Sequence, residues 1–289
     1  ESFRKQESSM RPYFLFMGMW LVLFLLLYGA LELAGNTSAL EIALIGSFFV
    51  SLIFPVRSFG ILIIFVGVLL SGFQQFVGIN TVIYYSPKIF LMAGFDGTVA
   101  AIWASVGVGV VNVIFTVVSV YFVDRLGRRK LYFIGLSGIV VSLLILGLCF
   151  VFVNQLGDSV KWVAILLIFC YVAFFAISIG PLGWLIISEI FPLKLRGLGA
   201  SLGSLSVWLF NSIVSFTFFK IVKALTIPGK EIIMDGENLG NPAGAFWFYG
   251  GVAFLALIWG YFYVPETKGV SLEQIENFWR KRESPRKLK

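Results

Sequence analysis

Long apolar runs, cut by short clusters of charge, Gly, Pro and Asn, occupy most of the chain. Read with that punctuation, the pattern predicts membrane-spanning segments near 13–31, 40–54, 58–92, 98–123, 131–153, 160–192, 197–222 and 245–264. Crossing roughly 30 Å of hydrocarbon as a helix takes about 20 apolar residues, which most of these runs supply. The run at 40–54 is short for a crossing and fits a re-entrant or interfacial piece equally well. The run at 58–92 is too long for one straight helix, and its Gly72, Gly78 and Pro87 predict a break or a strong tilt. In the run at 160–192, Pro181 removes a backbone donor and clashes with the preceding turn. A kink or unwinding is therefore expected near Gly180-Pro181-Leu182-Gly183-Trp184.

Composition narrows the class. With 59% hydrophobic and 13% charged residues, the chain lacks the polar surface that a soluble domain of 289 residues needs. The stretch from Glu1 to Arg11 is polar and leads straight into further spans, so no cleavable signal pattern is read there. The absence of an initiator Met predicts a processed chain or a fragment. With the amino terminus in the cytoplasm and eight crossings, only Lys88, Lys161, Lys220, Lys223 and Lys230 of the 22 Lys and Arg fall outside. That bias obeys the positive-inside rule and accounts for the +7 net charge without a nucleic-acid partner. A DNA or RNA role would need a basic face on a soluble module.

Cys149 and Cys170 lie within apolar runs and are expected to pack rather than to pair or to bind metal. No His is present, which removes the commonest proton relay, metal ligand and general base, so neither catalytic chemistry nor a cofactor is predicted.

What remains is polar chemistry at membrane depth. Gln74, Gln75 and Asn80 cluster in one run, Asn112 lies within the next, and Asn211 lies in a later one beside Trp208. An unpaired buried amide costs on the order of 1–3 kcal/mol, so these side chains must face protein, water or ligand. Interhelical hydrogen bonding would satisfy any one of them. The cluster as a whole, with donors and acceptors together, suits a neutral polyhydroxylated ligand. Broken helices near the midplane are where transporters place substrates, and Trp184 beyond Pro181 offers an apolar ring face and one donor.

Four motifs point further. Gln74-Gln75-Phe76-Val77-Gly78-Ile79-Asn80 with Tyr84-Tyr85-Ser86-Pro87, Asp124-Arg125-Leu126-Gly127-Arg128-Arg129, Ser188-Glu189-Ile190-Phe191-Pro192 with Arg196-Gly197, and Pro265-Glu266-Thr267-Lys268-Gly269 stand in order along the chain. In this the chain resembles the sugar porter family of the major facilitator superfamily, over about residues 57–283 and only in its carboxy-terminal six-helix half. The resemblance implies an all-α polytopic membrane fold of two inverted three-helix repeats, with extra amino-terminal apolar helices. It divides the chain into an amino-terminal stub at 1–56, a transporter half at 57–265 and a cytoplasmic tail at 266–289.

By the same resemblance, Gln74, Gln75, Ile79, Asn80, Asn112, Phe175, Trp184, Trp208 and Asn211 would meet a monosaccharide, and Tyr84 and Tyr85 would close an outer gate. Asp124, Arg125, Arg128, Arg129, Glu189 and Arg196 would form a cytoplasmic salt-bridge network that holds the outward-facing state. The chain departs from the family pattern at Val207, where relatives usually carry an amide, and at Ala176, acidic in some animal members. The implied function is transport of a hexose or pentose by alternating access, in a plasma membrane or bacterial inner membrane, with both termini cytoplasmic. Partners would be the sugar, the bilayer, protons in the case of symport, and a missing amino-terminal half or another copy. The alternative is a membrane sugar sensor or truncated protein that binds without transporting.

Smaller features carry their own expectations. Gly199 with Gly203, and Gly107 with Gly109, predict close helix approach. Ser271 and Gln274 form a candidate capping box opening a short helix with Leu272, Ile275, Phe278 and Trp279 on one side. Asn36-Thr37-Ser38 is a glycosylation sequon by letter.

Overall fold

The computed structural model describes residues 60–277 apart from 96, 158, 192–195, 235, 272 and 276. The predicted segments at 13–31 and 40–54, the Asn36 sequon, Pro192, Leu272, Phe278 and Trp279 lie outside the described residues.

Helices α1 (Gly60–Phe76) and α2 (Ile79–Met92) form one interrupted span, followed by continuous α3 (Thr98–Leu126) and α4 (Arg128–Val151). The single turn α5 (Val153–Leu156) leads to α6 (Ser159–Ile177) and α7 (Ile179–Ile190), a second interrupted span. Then come α8 (Arg196–Ala224), the strands β1 (Ile232–Met234) and β2 (Glu237–Gly240), and α9 (Ala243–Tyr263). Among the described residues, six helical segments are long and apolar enough to cross a membrane: Ile63–Met92, Thr98–Leu126, Arg128–Val151, Ser159–Ile190, Gly199–Ala224 and Ala243–Tyr263. The first and the fourth of the six are the broken ones.

The first break falls at Val77-Gly78, while Gly72 stays helical within α1 and Pro87 within α2. Gly78 adopts φ +87, and its N–H turns back to the Gln75 carbonyl at 3.0 Å. The Val77 carbonyl, left outside both helices, accepts the Tyr171 hydroxyl of α6 at 2.9 Å. Pro87 does not break α2 because the carbonyl it cannot reach, that of Ile83, accepts the Ser86 hydroxyl at 3.4 Å.

The second break is three residues ahead of where Pro181 predicted it. Ser178 leaves helical geometry (φ −125, ψ −106), and Pro181 sits in the first turn of α7, where a missing N–H costs little. The Ile177 carbonyl before the break accepts the Ser119 hydroxyl of α3 at 3.0 Å.

Helix α4 packs most extensively against α9 and α6. Its small residues let the backbones approach: a Cβ on Gly135 would lie 1.8 Å from Ser178 Oγ, and one on Gly138 2.3 Å from the Phe174 ring. On the other side, buried Tyr132 lies against Gly260 and donates its hydroxyl to the Ala256 carbonyl at 2.9 Å. Gly199 and Gly203 face Phe191 and Ile187, and Gly107 faces Phe169, but Gly109 faces nothing within 4 Å. Helix α3 is mostly uncovered, with Val99, Val113, Val117 and Val120 all exposed.

The antiparallel hairpin β1–β2 was not legible in the apolar pattern, being two short strands within the connection from α8 to α9. Buried Asn241 fastens that connection, donating to the Phe150 and Lys230 carbonyls and accepting from the Ala243 N–H. Cys149 is buried and Cys170 half-buried, and both are free. Ser271 and Gln274 make the two reciprocal bonds of a capping box, at 3.0 and 3.3 Å, with Ile275 buried behind them.

At Gly78 a Cβ would meet the Tyr249 ring at 2.8 Å in addition to the left-handed strain. Gly78→Ala is expected to destabilise the protein by about 1–2 kcal/mol from backbone strain alone, read as a lower melting temperature in detergent micelles.

Candidate functional site

A cleft of about 390 Å³ opens between the two breaks. Gln74 and Gln75 enter it from the end of α1, Ile79, Asn80, Ile83 and Tyr84 from the start of α2, and Asn112 and Thr116 from α3. Phe175 and Ala176 contribute from the end of α6, Gly180, Pro181 and Trp184 from α7, and Val207, Trp208 and Asn211 from α8. All nine residues singled out for ligand contact therefore line one space.

The helical repeat accounts for much of this convergence, since residues three or four apart share a face. Asn80 and Tyr84 are so spaced on α2, Asn112 and Thr116 on α3, and Val207 and Asn211 on α8. Thr116 and Ile83 escaped the sequence reading, although each stands four residues from a residue that it did name. Gly180 belongs to the cleft because the break brings its backbone to the surface of the space.

The amides form a directed chain. Asn80 Nδ2 donates to Gln75 Oε1, Gln75 Nε2 donates to Gln74 Oε1 at 3.3 Å, and Gln74 Nε2 donates to the carbonyls of Ile179 and Gly180. Gln74 and Gln75 are buried, whereas Asn80 and Asn112 are partly open to the cleft. The Asn112 Oδ1 accepts the Thr116 hydroxyl at 3.3 Å. Trp184 and Trp208 also line the cleft, 47% and 64% exposed. The lining thus combines hydrogen-bond donors and acceptors with aromatic rings, and no Asp or Glu is among its residues.

The two tyrosines after the first break part company. Tyr84 is half-exposed at the cleft and its hydroxyl accepts Asn211 Nδ2 at 3.2 Å. Tyr85 lies outside the cleft, stacked on Phe218 at 5.4 Å with its hydroxyl on the Ser215 carbonyl at 3.1 Å. Consecutive helical residues point about 100° apart, which separates them.

A charged cluster occupies one end of the bundle, where α3 passes into α4. Arg128 forks onto Glu189 through Nη2 at 2.8 Å and Nε at 3.3 Å, and reaches Asp124 through Nη1 at 3.1 Å. The Thr267 hydroxyl also donates to Glu189. Glu266, which the candidate set omitted, accepts the N–H groups of Arg128 and Arg129 at 3.0 and 3.1 Å, a carboxylate at the positive end of α4. Gly127 (φ +89) leaves room for it, since a Cβ there would lie 2.6 Å from the carboxylate. Arg129 donates to the Tyr261 carbonyl at the end of α9, and Lys268 to the Arg125 carbonyl at the end of α3. The Arg125 guanidinium lies 3.9 Å from the centre of the Tyr121 ring.

Arg196 does not join this cluster: Nε and Nη2 are buried without a partner among the described residues. The Glu189 carboxylate takes Arg128 and Thr267.

Comparison with known proteins matches residues 48–279 to the family model described as sugar (and other) transporter. The D-xylose-proton symporter of Escherichia coli (strain K12) is 38% identical over 221 residues, 76% of this chain and 42% of the relative. The glucose facilitated diffusion protein of Zymomonas mobilis is 37% identical over 226 residues, 77% of this chain and 44% of the relative. A solved structure of the proton:xylose symporter bound to 6-bromo-6-deoxy-D-glucose superposes with a TM-score of 0.63 at 38% identity, covering 75% of this chain and 42% of that one. An inward-open structure of the E. coli xylose transporter gives 0.60 at 35% identity, covering 85% and 47%. The chain thus spans less than half the length of these relatives. With six apolar helices among the described residues, two of them broken around an amide-lined cleft, and with these similarities, the chain is an integral membrane protein of the sugar (and other) transporter family, a sugar porter of the major facilitator superfamily.

Proposed function

We propose that this chain supplies the monosaccharide-binding half of a transporter that works by alternating access. The observation that carries the reading is the cleft itself, lined by partly open Asn80 and Asn112 and by Trp184 and Trp208 where two spans break. A pyranose presents hydroxyls around its edge and C–H groups on its faces, which matches a cleft lined by both amides and aromatic rings. Gln75, Asn80, Asn112 and Asn211 would bond the hydroxyls, Trp184 and Trp208 would stack, and Ile79 and Phe175 would fill the apolar flank. Because the lining holds no carboxylate, we assign sugar binding to this cleft and any proton coupling to the partner half. Tyr84 at the cleft mouth would close over the ligand, with Tyr85 holding its helix turn to α8.

The charged end would face the cytoplasm, a reading supported by the Lys and Arg bias of the loops. There the Arg128 fork on Glu189 would fasten α4 to α7 in the outward-facing state. Both side chains are largely sheltered, 12% and 19% exposed, so the pair is stronger than a solvated surface bridge.

Two outcomes are expected. Isothermal titration of the detergent-solubilised full chain with hexoses and pentoses should give saturable binding, weakened about tenfold by Gln75→Ala and by Trp184→Ala, a loss of about 1–2 kcal/mol each. Absence of binding to any monosaccharide would sink the proposal, while binding without uptake into proteoliposomes would favour the sensor reading. Glu189→Ala should raise cysteine-reagent access from the cytoplasmic side about tenfold, for about 1.5 kcal/mol lost with the fork.

A further inference from the structure

We infer that Asn241, which lies outside the cleft, is a positioning residue: it clamps the end of α8 far from the charged cluster onto α4 and α9, and so fixes where Trp208 and Asn211 stand in the cleft. The effect on a ligand rests on the reading of the cleft as a monosaccharide site, whereas the clamp itself does not.

Asn241 follows β2 and is 1% exposed, yet each polar atom of its side chain is bonded. Its Nδ2 donates to the Phe150 carbonyl in the last turn of α4 at 3.0 Å and to the Lys230 carbonyl ahead of β1 at 2.9 Å. Its Oδ1 accepts the Ala243 N–H that opens α9 at 2.9 Å. These partners fix the orientation of the amide, because an N–H can face only an acceptor and a carbonyl only a donor. The Asn241 N–H donates to Thr226 Oγ1 at 2.8 Å, and that hydroxyl donates to the Val222 carbonyl in the last turn of α8 at 2.6 Å. One residue therefore joins α4, α8, α9 and the hairpin.

The backbones come close to make these bonds. Gly240 (φ +73) precedes Asn241, and a Cβ on it would lie 2.6 Å from Thr226 Oγ1. A Cβ on Gly244 would lie 2.2 Å from the Leu225 carbonyl oxygen just beyond α8.

Helix α8 carries the constraint to the cleft. From Val207 to Ala224 it contains neither Gly nor Pro, so this stretch has none of the usual causes of a kink. Its glycines, Gly197, Gly199 and Gly203, all precede the cleft residues Val207, Trp208 and Asn211. Asn211 lies about three turns, or ~16 Å, before Val222. Helix α8 in turn holds α2. Tyr84 accepts Asn211 Nδ2, Tyr85 donates to the Ser215 carbonyl, and Lys88 Nζ lies 4.6 Å from the centre of the Phe219 ring. A shift of the clamped end therefore displaces Trp208, Asn211 and Tyr84 together.

Nitroxide pairs on the full chain in lipid nanodiscs test this, with Cys149 and Cys170 replaced by Ala and distances read by continuous-wave and pulsed electron paramagnetic resonance. Labels on Leu148→Cys and Lys223→Cys, both exposed positions, report on the clamped ends of α4 and α8. Labels on Lys130→Cys and Ala200→Cys, also exposed, report on the opposite ends. Wild type should show one narrow distance at the clamped end. Asn241→Ala should make that distribution broad or two-peaked and leave the opposite pair unchanged. Thr226→Val, which keeps the shape of the side chain, should do the same and carries the test where Asn241→Ala fails to fold. Trp247→Phe removes the bond from Trp247 Nε1 to the Leu144 carbonyl, between α9 and α4, and should leave both distances as in wild type. In titration with D-xylose and D-glucose, Asn241→Ala and Thr226→Val should weaken binding about threefold, for α8 in place about a third of the time. A clamped-end distance unchanged in both variants overturns the inference, as does equal broadening at both ends or broadening by Trp247→Phe. A broadened clamped end with sugar affinity unaltered overturns it too. Absence of sugar binding in wild type counts against the sugar reading, and the distances then still decide the clamp.

Discussion

A helix break inside hydrocarbon frees backbone carbonyls and N–H groups that water cannot reach, each costing several kcal/mol if left alone. The rest of this structure is arranged around meeting that requirement twice. At Gly78 the loose carbonyl of Val77 is met by Tyr171, and at Ser178 the carbonyl of Ile177 is met by Ser119. Where Gln74 reaches over to Ile179 and Gly180, the two solutions become one structure. Irregular backbone survives at membrane depth only where it is buried in protein or lines a cavity, and here it does both.

The close approach of helices follows from the same need. Side chains can reach a break in a neighbouring span only if the backbones come near, which Gly135 and Gly138 permit beside Ser178 and Phe174. Tyr132, seated against Gly260, locks α4 to α9 by a bond to a carbonyl rather than by shape alone. In lipid, packing and such bonds replace the hydrophobic effect that would join helices in water.

At the charged end the chemistry is that of helix termini. Glu266 supplies acceptors to the first N–H groups of α4, while Arg129 and Lys268 supply donors to the last carbonyls of α9 and α3. Each terminus is met by the charge opposite to its dipole. Glu189 sits between Arg128 and Thr267, joining α7 both to α4 and to the segment after α9, which Glu266 also ties to α4.

The spans, their order and the amides inside them were determined by the sequence, because hydrophobic length and the positions of Gln, Asn and Trp are local properties. The lining of one cleft by Gln75, Asn112, Trp184 and Asn211 was legible through the motifs that carry the family resemblance, and the structure brings those residues together. Which atoms bond was decided only in three dimensions. The break before Pro181 falls at Ser178, because proline fits a first turn and Ser119 stands ready for the carbonyl behind it. Glu189 pairs with Arg128, 61 positions away, while Arg196, 7 positions from the same carboxylate, has Nε and Nη2 buried without a partner among the described residues, a choice that spacing alone cannot make. Glu266 caps a helix that begins 138 residues earlier, and Gln74 spends its amide on carbonyls more than a hundred residues away. A hydrogen bond of that reach depends on where two helices cross, and the crossing is a property of the packed whole.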